Sequence, residues 1–118
     1  MGNLLVEKSK AFALKCIELY KLLLDAREYV LSKQFLRSAT SIGANIAEGQ
    51  YAQSKADFLS KYSIALKEAS ETLYWLDLLQ QAGWLPESEA KYEIHSDCEE
   101  LVRLLASSIK TLKEKNEN

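Results

Sequence analysis

The chain has 118 residues, 47% of them hydrophobic and 27% charged, a balance that suits one globular domain and excludes a disordered tail. Fifteen basic residues against seventeen acidic ones leave a net charge of −2, which excludes a polycationic nucleic-acid coat while leaving local basic patches open. No leader-like segment and no run approaching the roughly 18 uninterrupted apolar residues of a membrane span is present, so a cytoplasmic location is expected.

With one proline and four glycines and no period-two alternation, helices must account for nearly the whole chain. The first is predicted over residues 4–27, where Phe12, Cys16, Leu19 and Leu23 recur at helical spacing. Cys16 and, further on, Cys98 lie within apolar stripes and are expected to be free, buried thiols. The second is predicted over 33–48, capped by Ser32, with Phe35, Ala39, Ile42 and Ile46 on its buried stripe. Ala39, Gly43, Ala44 and Ala47 would let a neighbouring backbone approach closely, and Gly49 would stop the helix in the left-handed conformation.

Ser54 and Asp57 resemble a capping box opening a third helix over 55–82, along which Phe58, Tyr62, Ala65, Ala69, Leu73 and Leu76 recur as far as the break at Gly83. The fourth is predicted over 87–113, with Pro86 in its first turn, Glu87 and Glu89 at its positive end, and Ile94, Cys98, Leu101, Leu105 and Leu112 on its stripe. Short connections force consecutive helices antiparallel, so the expected fold is all-α, an up-down-up-down four-helix bundle filling one domain over 1–118.

Two segments carry more apolar surface than one bundle can cover. Leu73, Tyr74, Trp75, Leu76, Leu78 and Leu79 point almost all round their helix, and Leu19, Tyr20, Leu22, Leu23 and Leu24 do the same on the first. Burial on every side requires further copies of the chain, so a homo-oligomer is expected.

No catalytic constellation stands out. A di-metal bundle site needs Glu-x-x-His pairs. His95 is the sole histidine and has no glutamate three residues before it. Nucleophile elbows, phosphate-binding glycine loops and zinc-type cysteine spacings are also missing. The expectation is a protein without cofactor or metal that is not an enzyme. The distinctive feature is a polar set on the second and third helices, in which Arg37, Ser41, Asn45 and Glu48 share one face while Glu68, Glu71 and Trp75 share another. Such a set can lock helices or subunits in register through satisfied hydrogen bonds. Alternatively, Lys33, Arg37, Lys61 and Lys67 can meet phosphates while Tyr51 or Trp75 stacks on a base.

The run from Gln34 to Gly49, QFLRSATSIGANIAEG, is similar to a signature of the four-helix-bundle proteins encoded in intervening sequences of bacterial 23S ribosomal RNA genes, also called the S23 ribosomal protein family. SKADF at Ser54 to Phe58 and IALKEASETLYWL at Ile64 to Leu76 resemble a second signature of that family. The resemblance implies a homopentameric ring of bundles, RNA or a ribonucleoprotein as partner, and kinship with the accessory protein of diversity-generating retroelements. Its matching polar positions are Arg37, Ser41, Asn45, Glu48, Asp57, Lys61, Lys67, Glu68, Glu71 and Trp75. The acidic balance supports a second expectation, a protein-protein scaffold that touches little nucleic acid. Summed by segment, the charge is +1 over 1–31, +1 over 32–53, −1 over 54–82 and −3 over 83–118, which would steer an anionic partner away from the last helix.

Overall fold

The breaks in apolar periodicity become three short connections between four helices: α1 (Gly2–Asp25), α2 (Leu31–Gly49), α3 (Lys55–Gln81) and α4 (Glu89–Glu117). This is a computed structural model, which describes the backbone of residues 2–85 and 87–117 and the side chains of 4–85 and 87–115. Each helix packs against two others, α1 on α2, α2 on α3, α3 on α4, and α4 back on α1. Cross-helix pairs fix the direction. Lys8 meets Glu100 and Lys15 meets Asp97, Arg37 meets Glu68 and Glu48 meets Lys61, and Asp77 meets His95. Numbers rise on one helix as they fall on its neighbour, as antiparallel packing requires. The envelope of 51 × 20 × 20 Å is that of a bundle whose longest helix has 29 residues, roughly 43 Å at 1.5 Å per residue.

The core follows the predicted stripes. Phe12, Cys16, Leu23, Phe35, Ile42, Tyr62, Ala69, Leu79, Cys98, Leu101 and Leu105 are buried, with Leu5 and Ile109 near the ends. Both cysteines are free and buried. Burial pushes the Cys98 thiol up to about 12, and burial together with the nearby Cys98 raises Cys16 as well, so both are inert core groups at neutral pH.

Several helix ends depart from the sequence expectations. The first helix stops at Asp25 rather than 27, and Arg27 adopts the left-handed conformation at φ 69°. There the Glu28 amide returns to the Leu23 carbonyl at 2.9 Å and the Arg27 amide to Leu24 at 2.9 Å, a Schellman closure built without glycine. Ser32 is not the cap of α2. That work falls to Glu28, whose buried carboxylate accepts the amides of Val30, Leu31 and Ser32 at 3.1, 3.1 and 2.7 Å. The Ser32 hydroxyl turns back to the Glu28 carbonyl at 2.7 Å, so the helix begins at Leu31. At α3, Ser54 accepts the Asp57 amide at 3.0 Å, and Asp57 reaches back to the amide of Gln53 at 3.2 Å. Gly83, at φ 83°, closes α3 in the left-handed region. The fourth helix begins at Glu89 rather than 87, with the Ser88 hydroxyl accepting the Lys91 amide at 3.3 Å; Pro86 lies outside the described residues.

Gly49 also differs from its expected role. It remains helical at the end of α2, and the chain leaves through Gln50 at φ −65°. A Cβ at Gly49 would sit 3.0 Å from Tyr62 Cε1, so glycine is needed for the ring's approach rather than for backbone handedness. Gly43 is close to Ser9 of α1 in the same way, at 3.3 Å from Oγ. Ala44 and Ala47, expected beneath a neighbouring helix, face outward and are exposed. Replacing Gly49 with alanine should lower stability by about 1–3 kcal/mol through overpacking, despite alanine's better helix propensity. Urea denaturation measures this, and Ser63→Ala at an exposed position of α3 serves as a near-neutral control.

Candidate functional site

The strongest concentration of polar contacts on α2 and α3 forms where Arg37 crosses to two glutamates one helical turn apart. Arg37 Nη1 donates to Glu68 Oε2 at 3.1 Å, and Nη2 donates to Glu71 Oε2. The Trp75 indole, one further turn along, donates to the same Glu71 oxygen at 3.0 Å. These contacts follow from spacing, because positions 68, 71 and 75 share one face of α3 and the antiparallel register brings residue 37 opposite them. Glu68 is the most enclosed of the three charged members at 14% side-chain exposure, while Arg37 retains 48%.

The charges are matched inside this cluster. The hydrogen bond from Trp75 does most to hold the Glu71 carboxyl below the usual carboxylate range; partial burial opposes it, and Arg37 and Lys67 reinforce it. Partial burial pulls Arg37 down, but the negative field of Glu68 and the bond to Glu71 outweigh it and leave the guanidinium raised. Lys61 is likewise engaged, with Glu48 at 3.1 Å.

The remaining expected site residues are not drawn into this cluster. Ser41 donates to the Arg37 carbonyl at 2.7 Å and Asn45 to the Ser41 carbonyl at 2.9 Å, so both satisfy their own helix. Asp57 serves as the α3 cap. Lys67 is exposed and contributes only field to Glu71. Glu48, Glu68 and Glu71 are divided between Lys61 and Arg37. Among the described residues no group of three or more His, Cys, Asp or Glu is gathered as metal ligands.

Two features escaped sequence reasoning. Beneath the cluster, the fully buried Thr72 hydroxyl donates to the buried Ser38 hydroxyl at 2.8 Å, and Ser38 in turn to the Phe35 carbonyl at 3.1 Å. Thr72 falls on the same stripe as Ala65, Ala69 and Leu76, and that spacing was the signal. On the opposite side, Lys15 bridges α1 to Glu93 and Asp97 of α4, a pairing that needs the closure of α1 onto α4 and is invisible in local sequence. Hydrogen bonds to Asp97 and Glu93 raise the Lys15 pKa. His95 stands between Asp77 at 3.5 Å and Glu99 at 3.3 Å.

The fold and this cluster define a four-helix bundle whose most developed polar contacts join its own helices. The chain belongs to the family of 23S rRNA-intervening sequence proteins, whose model matches residues 3–107. It is similar to a protein of unknown function from the S23 ribosomal protein family of Bacteroides thetaiotaomicron, known from a crystal structure. The two share 49% sequence identity and superpose with a TM-score of 0.88, over 92% of this chain and 97% of that one. No curated protein matches the chain. No helix among the described residues is long and apolar enough to cross a membrane.

Because Glu71 titrates below its unfolded value, its contribution is present above the ordinary carboxylate pKa and disappears as pH falls through the depressed one. Glu71→Gln should therefore cost up to about 1 kcal/mol at pH 7, a figure kept small by exposure. Its stability curve should converge with that of the parent in acid, as urea melts across pH 2–7 will test.

Proposed function

We propose that this chain is a non-enzymatic cytoplasmic building block that assembles with copies of itself and presents the assembled surface to a protein partner. The observation that carries this reading is the neutralisation of Arg37 and Lys61 by carboxylates of the same chain. A phosphate arriving at this face would have to displace those carboxylates, and the counterion release that drives nucleic-acid binding is correspondingly small. Self-assembly is supported by apolar surface left uncovered. Leu14, Leu22, Val30, Tyr51 and Tyr74 are all more than half exposed, and the outer face of α2 carries Thr40, Ala44 and Ala47, followed just beyond the helix by Tyr51. Large apolar side chains left exposed mark association sites where they gather into a patch. Five copies, the number the family resemblance implies, would weigh 67 kDa at 13.4 kDa each.

A second reading, RNA binding, is favoured by one observation at a different place. The antiparallel arrangement gathers the start of α1, the end of α2, the start of α3 and the end of α4 at one end of the bundle. Over residues 2–12, 43–66 and 103–117 this end holds eight lysines and arginines against five carboxylates, a balance of +3, while the rest holds seven against twelve, −5. The −3 of the last segment conceals this division, since six of its eight acidic residues crowd between 87 and 100 whereas Arg103, Lys110, Lys113 and Lys115 follow them.

Size-exclusion chromatography with light scattering distinguishes these readings. The scaffold reading expects a multiple of 13.4 kDa that is unaltered by added RNA at physiological salt and by Arg37→Glu. A monomer at micromolar concentration contradicts self-assembly. RNA uptake that falls steeply with salt and is lost in Lys110→Glu/Lys113→Glu contradicts the scaffold and establishes the second reading.

A further inference from the structure

The basic end of the bundle contains the largest cavity described, a half-open groove of about 510 Å³ between α1, α3 and α4. That volume lies in the range of small-molecule sites, roughly 300–1,000 Å³, and far exceeds the roughly 30 Å³ of one water. Its wall is apolar, formed by Leu5, Phe58, Tyr62 and Leu112. Phe58 and Tyr62 stack against one another with ring centroids 4.2 Å apart, and Gly49 holds Tyr62 in place from behind.

The polar part of the lining is one-sided. Lys55 and Lys115 border the groove together with the hydroxyls of Ser107, Ser108 and Thr111, and no carboxylate does. Unlike Arg37 and Lys61, neither lysine has an ion-pair partner among the described residues. Tyr62 contributes a polar atom as well. Its ring is buried, and its hydroxyl accepts a hydrogen bond from the Gln50 side-chain amide at 3.1 Å. That bond uses an oxygen lone pair and leaves the phenolic proton available to donate. An apolar trough with an unspent buried donor and two unpaired cations is complementary to a ligand with an apolar body and an anionic, acceptor-rich head.

We infer that this groove binds a small amphipathic carboxylate, its hydrocarbon or aromatic body against Leu5, Phe58 and Leu112, and its head among Lys55, Lys115 and the Tyr62 hydroxyl. The occupant is a free small molecule; the groove lies between helices of one chain and requires no macromolecular partner to complete it.

Isothermal titration of the full chain with decanoate below its micelle concentration tests this, with decyltrimethylammonium as the oppositely charged control. Saturable binding of decanoate at one per chain is expected, with the cation excluded. The double variant Lys55→Gln/Lys115→Gln, at exposed positions that leave the core intact, should weaken binding about tenfold or more, the usual scale for losing charge-assisted hydrogen bonds. Tyr62→Phe should weaken it severalfold, and Thr111→Trp, which fills the groove from an exposed position, should abolish it; thermal melts confirm the fold of each. Absence of saturable heat, equal binding of the cation, or unchanged affinity in the lysine variant would overturn the assignment.

Discussion

Everything else in the bundle depends on how closely α2 approaches α3. At one end the bare Cα of Gly49 admits the Tyr62 ring, and midway the buried Ser38 and Thr72 hydroxyls satisfy one another. At the same level, on the surface above that pair, Arg37 reaches two glutamates and, through Glu71, Trp75. Each hydroxyl also reaches a carbonyl of its own helix, Ser38 that of Phe35 and Thr72 that of Glu68, so a slip of one helical turn would lose the cross-helix bond, about 0.5–1.5 kcal/mol, without leaving either group unsatisfied. The buried pair thus favours the observed register, while the exposed ion pairs add modestly to stability.

This pairing also determines where charge is available. On the α2–α3 face Arg37 and Lys61 are already answered within the chain, whereas Lys33 and Lys67 have no ion-pair partner among the described residues, and the larger charge asymmetry of the molecule lies between its two ends. Antiparallel packing turns the charge gradients along α3 and α4, which outweigh the opposite one along α2, into a dipolar molecule, basic where the α2–α3 turn and the end of α4 meet and acidic where the other two connections lie. The groove bordered by Lys55 and Lys115 belongs to the basic end. The uncovered apolar residues are spread over the molecule, with Leu14 and Leu22 on α1, Val30 and Trp84 at the connections of the acidic end, Tyr74 on α3, and Tyr51 at the α2–α3 turn of the basic end.

The helices and their buried stripes were legible because the 3.6-residue period is a local property of the chain. Phe12, Cys16, Ile42, Ala69 and Leu101 lie in the core as their spacing requires. The ends were less legible, because capping chemistry has several solutions. Glu28 caps α2 from three residues upstream, Arg27 occupies a position usually given to glycine, and Gly49 answers to the bulk of Tyr62, thirteen residues away. For the candidate site, spacing correctly grouped Glu68, Glu71 and Trp75, but it could not say which cation faced them. Ser41 and Asn45 share the face of Arg37 and yet bond only to their own helix. The groove depends on residues from 5 to 115 and had no sequence signature at all.

Arg37 is committed to α3 through Glu68 and Glu71. A double-mutant cycle with Arg37→Ala and Glu71→Ala, read as urea stability at low and high salt, measures that commitment. The expected coupling is favourable, about 0.5–1 kcal/mol, and shrinks as salt screens it. A coupling indistinguishable from zero at low salt would mean that the guanidinium is free in solution, and that the α2–α3 face is a cationic surface open to partners.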